Sequence, residues 1–75
     1  MTKVILKEQA QSAIDAAEAM QGDDPRAKDC VLSARKHLAE GYYNSATNEA
    51  LRSLCWSCDV PKSMHEKQIK AVLGH

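Results

Sequence analysis

Cys55-Trp56-Ser57-Cys58 is the segment of this 75-residue chain whose spacing comes closest to chemistry. A C-x-x-C pair can cycle between dithiol and disulfide, or it can supply half of a tetrahedral zinc site. Redox use calls for a thiolate stabilised at a helix N-terminus that follows a strand. Here the pair falls at the end of a helical pattern, where the dipole acts the other way, and no strand pattern precedes it. Zinc needs further ligands. His65 lies seven residues after Cys58, and Cys30 or His37 could complete a set, but there is no second C-x-x-C and no H-x3-5-H. The expectation is that the three cysteines are plain small core residues and that the chain holds no metal and no cofactor.

The other side chains offer less. His65 is expected to be partly buried and satisfied by a neighbour, His37 to sit on a helix rim, and His75 to be a mobile terminal residue. There is no Gly-rich phosphate loop and no H-E-x-x-H, and no nucleophile, base and orienting acid assemble. Four short helices are expected to leave little room for a substrate pocket. We expect no enzyme.

Trp56, the one tryptophan, is the remaining candidate. At about 100° per residue, the main apolar stripe of its helix centres near Leu54 and Trp56 projects roughly 160° away. Tyr42, Glu49, Ser53 and Val60 fall on the Trp56 side, bordered by Arg52 and Ser45. Tyr, Trp and Arg are enriched at interface hot spots. Arg52 and Trp56 are also spaced i,i+4 for a cation–π contact. Two explanations stay open. Either another helix covers this second face and Trp56 is core, or Tyr42, Glu49, Arg52, Trp56 and Val60 form a partner-binding surface.

The elements that must position these residues are helical. Ala, Glu, Lys, Gln, Leu and Arg dominate, and apolar residues recur at three and four. The pattern predicts an all-α fold, a small antiparallel bundle of three to four short helices over about 3–20, 25–40, 43–58 and 62–73, in a single domain spanning 1–75. In the first, Leu6, Ala10, Ala13, Ala17 and Met20 form the stripe, with Ile14 and Ala16 on its flanks. Gly22 caps it, and Asp24-Pro25 starts the second. There the stripe is Ala27, Cys30, Val31, Ala34 and Leu38, closed by Gly41. The third buries Tyr43, Ala46, Thr47, Ala50, Leu54 and Cys58, with Leu51 and Cys55 beside them. Asp59-Val60-Pro61 breaks it. Ser63-Met64-His65-Glu66 has the spacing of a capping box, and Met64, Ile69, Val72 and Leu73 point inward, with Gly74 closing the last helix.

The segment Ala34-Arg35-Lys36-His37-Leu38-Ala39-Glu40-Gly41-Tyr42-Tyr43-Asn44-Ser45-Ala46, followed by Ala50, resembles the helix–turn–helix core of HEPN-type domains, roughly A-x3-L-x2-G-x-Y-x2-A-x3-A. Tetratricopeptide repeats share the G-x-Y-x2-A part. The resemblance implies a tight hairpin: Gly as left-handed cap, Tyr over the turn, Ala where two helices approach. HEPN ribonucleases use an Arg followed by a His four to six residues on. Arg26, Arg35 and Arg52 lack one, so no nuclease chemistry carries over.

Ten Lys and Arg balance ten Asp and Glu. Zero net charge argues against a nucleic-acid or membrane-surface binder. Residues 1–24 carry two Lys against five acids, and residues 60–75 three Lys against one acid, which suggests complementary antiparallel surfaces. No apolar run is long enough to span a membrane, and the start of the chain does not look like a signal peptide. An odd number of cysteines then favours a reduced, cytoplasmic protein. Eleven Ala and no Phe make a thin core, so a homodimer is expected. The expected function is a small non-enzymatic protein–protein interaction module, a regulator or inhibitor docking on a larger partner, like accessory proteins of phages and mobile elements. The alternative is a zinc-stabilised or nucleic-acid-associated helical module.

Overall fold

The computed structural model describes residues 5–73, except the side chain of Leu73, and in them the chain forms four helices. They are α1 (Lys7–Met20), α2 (Pro25–Ala39), α3 (Tyr43–Ser57) and α4 (Lys62–Leu73). No strand occurs among the described residues. The all-α bundle expected from the apolar periodicity is therefore the fold. Helices α1, α2 and α3 pack on one another, whereas α4 rests on α3 alone. Consequently the acidic N-terminal helix and the basic C-terminal helix do not meet, contrary to the expectation from charge. Among the described residues, the ion pair that does join two helices is Arg35 of α2 with Glu18 of α1.

Small side chains build the core. Ala10, Ala17, Ala27, Ala34, Ala46 and Ala50 are all inaccessible to solvent, and Ile14 is the one large aliphatic among the fully buried residues. Removing bulk from the seams lets helix axes approach towards the close end of the usual 8–10 Å range. The α2 stripe matches its sequence expectation: Ala27, Cys30, Val31 and Ala34 are buried and Leu38 is packed against them.

On α1 the stripe is displaced. Ile14 is its centre, while Leu6 and Met20 are 60% and 55% exposed. Leu6 lies before the helix in an extended conformation, so helical spacing does not apply to it, and its N–H donates to the Gln9 side-chain oxygen at 3.0 Å. Ile5 is buried instead. The predicted start near residue 3 is thus too early, and residues 3 and 4 lie outside the described ones. Met20 is the last residue of α1, a position where the side chain can leave the seam.

Two of the turns share one hydrogen-bond pattern. After α2, Tyr42 N–H donates to the His37 carbonyl (2.8 Å) and Gly41 N–H to that of Leu38 (3.1 Å), with Gly41 at φ +86°. After α3, Val60 N–H donates to the Cys55 carbonyl (2.9 Å) and Asp59 N–H to that of Trp56 (3.2 Å), with Asp59 at φ +58°. Each is a Schellman cap, and the second places a non-glycine residue in the left-handed region. Between α1 and α2, Asp24 caps as expected: its Oδ1 accepts the Arg26 N–H at 2.9 Å, with Pro25 at the first helical position.

Helix α4 corrects two expectations. It starts at Lys62, with Met64 N–H donating to the Pro61 carbonyl (2.8 Å), so Ser63 lies inside the first turn and the capping box does not form. Glu66 pairs with Lys70 (3.2 Å) instead. Its buried stripe is His65 and Ile69, whereas Met64 and Val72 face outward, Val72 at 63% exposure. One neighbouring helix buries only a narrow stripe, and residues on its flanks stay in solvent. Gly74 lies outside the described residues.

Candidate functional site

Trp56 is half-buried where α3 meets the start of α2 and the start of α4. One turn earlier, Ser53 is fully buried and its hydroxyl donates to the Ala27 carbonyl at 2.8 Å, which ties α3 to α2. So α2 covers part of the second face of α3. It also brings Arg26 over Trp56, its guanidinium carbon 4.1 Å from the ring centroid. This contact replaces the expected i,i+4 contact from Arg52. Asp24 holds Arg26 there through Nε–H to Oδ1 (3.3 Å) and Nη2–H to Oδ2 (3.2 Å). The same hydrogen bond from the Arg26 guanidinium keeps the Asp24 carboxyl below its usual range and raises the guanidinium.

His65 closes the other side. Its ring stands edge-on to Trp56, centroids 4.3 Å apart, and only 2% of the residue is exposed. Its Nε2 is 2.7 Å from the Val60 carbonyl. A carbonyl can only accept, so Nε2 carries the hydrogen, and in the tautomer that this bond selects Nδ1 is an acceptor. Nδ1 is buried without a hydrogen-bond partner, as is Nε of Arg52. Both side chains, with Trp56, Lys62 and Glu66, line a groove of about 380 Å³.

A second groove of about 300 Å³ runs along the same helix pair and shares no residue with the first. It is apolar, lined chiefly by Leu51, Leu54, Cys55, Val60, Ile69 and Val72. The small bundle therefore has more concave surface than its helix lengths suggest, because α4 has one neighbour and leaves both of its sides open.

Of the predicted surface residues, the structure brings Arg52 and Trp56 together. Val60 joins them through its carbonyl, although its side chain lies in the apolar groove. Tyr42 stands at the opposite end of α3, exposed, with its ring 6.3 Å from that of His37. Glu49 is half-buried on α3 and acts on the Cys30 thiol rather than on Trp56. Arg26, Lys62 and Glu66 were missed. Their membership depends on how α2 and α4 dock, which spacing along α3 does not encode.

The cysteines divide in two. Cys30 and Cys55 are buried, and burial pushes both thiols up, away from the thiolate. Cys58 is exposed, not on the inner stripe where it was expected. Among the described residues, no group of three or more His, Cys, Asp or Glu is arranged to hold a metal ion, and His65 Nε2 is committed to Val60. No described helix is long and apolar enough to cross a membrane. In comparisons with known proteins, no family model, no curated protein and no solved structure matches this chain.

Proposed function

We propose that this chain is a small non-enzymatic protein–protein interaction module, a regulator or inhibitor that docks on a larger partner through the α3–α4 edge. The observation that carries this reading is the open apolar groove beside α4, flanked by the exposed Val72. Grooves between two helices recognise the apolar face of an amphipathic helix. The buried thiols with raised pKa values support a non-enzymatic role, since nucleophilic cysteines need the opposite shift.

The same edge suits a homodimer. Acidic α1 and basic α4 find no counterpart in each other within one chain. In a two-fold dimer, α1 of each copy can face α4 of the other, which satisfies both surfaces at once. Val72→Glu tests the reading, because Val72 is exposed and its replacement leaves the core intact. Wild-type protein is expected to sediment as a dimer at micromolar concentration, and V72E as a monomer with an unchanged helical spectrum. A wild-type monomer at high concentration, together with equal recovery of any host protein by wild type and V72E, would overturn it.

A further inference from the structure

We propose that the groove between Arg52, Trp56, Lys62 and His65 binds a hydrogen-bearing oxyanion of the phosphate class, a function independent of the apolar docking edge. Three observations meet there. First, two of the groove's cations have no ion-pair partner. Among the described residues, neither Arg52 nor Lys62 has a carboxylate within ion-pair distance. Glu66, which also lines the groove, pairs with Lys70, and Asp24 pairs with Arg26. Second, His65 Nδ1 is a buried ring nitrogen with no partner, an acceptor in the tautomer selected by the Val60 hydrogen bond, on a ring that Trp56 also holds. An unmet buried acceptor costs free energy until a donor reaches it. Third, the volume of about 380 Å³ admits a phosphate with a small attached group.

The chemistry of the ligand follows from the demands of the site. The cations ask for acceptor oxygens, and the Arg52 guanidinium offers a planar fork suited to two of them. In that tautomer the imidazole asks for a hydrogen. Hydrogen phosphate supplies both, with three acceptor oxygens and one O–H. Sulfate has the same shape and charge but no hydrogen, and a carboxylate lacks it too. Water can donate to Nδ1 but does not neutralise Arg52 and Lys62. The groove is therefore built to prefer phosphate over sulfate.

Trp56 is the only indole in the chain, so it reports on its own site. Its fluorescence is titrated with sodium phosphate and with sodium sulfate, near neutral pH and at constant ionic strength. Phosphate is expected to give a saturating change, and sulfate to bind about tenfold more weakly or less. Arg52→Gln and Lys62→Gln, each checked for an unchanged helical spectrum, are expected to weaken phosphate about tenfold, and Lys36→Gln on the exposed side of α2 not at all. A parallel titration with phosphoserine separates the sources: its ester phosphate is mostly a dianion without an O–H near neutral pH, so it is expected to bind more weakly than inorganic phosphate, and tighter binding would overturn the demand for a hydrogen. Absence of a saturating phosphate response, an equal response to sulfate, or unchanged binding by both R52Q and K62Q would overturn the proposal.

Discussion

Replacing Trp56 with Ala separates a tryptophan gripped inside one chain from one that waits for another. Full burial of a large apolar side chain is worth about 1.5–3 kcal/mol, and Trp→Ala in a core costs about 3–5 kcal/mol. Trp56 is half-buried, which scales that cost to about 2 kcal/mol. Its edge-on contact with His65 adds roughly 0.5–1 kcal/mol. The sum, about 2.5 kcal/mol, corresponds to a fall in Tm of roughly 10–20 °C for a domain of this size. The assay is thermal unfolding followed by circular dichroism at several protein concentrations spanning about two decades. The dockings of Arg26 and His65 on Trp56 predict the same loss at every concentration. Tyr42→Ala, at the exposed far end of α3, should change stability by no more than about 0.5 kcal/mol. A Trp56→Ala loss below about 0.5 kcal/mol, or one that vanishes as concentration rises, would refute this reasoning and place Trp56 in a seam between molecules.

Three further outcomes are expected. A thiol reagent should find one fast cysteine, Cys58, with Cys30 and Cys55 reacting only as the protein opens, and dialysed protein should retain no equivalent of zinc. Because burial raises the Cys30 and Cys55 pKa values in the folded state, their contribution to stability is full below the unfolded thiol value and is lost as pH rises through the folded one; denaturation midpoints against pH should therefore fall on the alkaline side. Asp59 occupies a left-handed position at φ +58°, so Asp59→Gly should raise stability by about 0.5 kcal/mol with no change in the denaturant slope, whereas Asp59→Ala should give no gain.

Local rules carry most of the helical architecture. The Asp24-Pro25 start, the Gly41 stop and the Ala27–Leu38 stripe were legible because a cap and a 3.6-residue period depend on neighbours a few positions away. The same locality explains the failures. Leu6 and Met20 share the α1 period but sit where the helix has not begun or is ending, and Ile5 takes the buried place from outside the helix. Met64 and Val72 are apolar, but α4 has a single neighbour, so only the His65–Ile69 line is covered. Trp56 marks the boundary most clearly. Spacing along α3 sets it and Arg52 apart from the Leu54 stripe, and that much is visible in one dimension. Which cation reaches the indole is not. Arg26 is 30 residues away in the chain and arrives because Ser53 ties α3 to Ala27 and the Asp24 carboxylate clamps the guanidinium. The buried, unpartnered His65 Nδ1 likewise exists only once the Val60 carbonyl takes the other nitrogen. Helix type and limits follow from local hydrogen bonding, whereas the groove of Arg52, Lys62 and His65 is a product of how α4 docks.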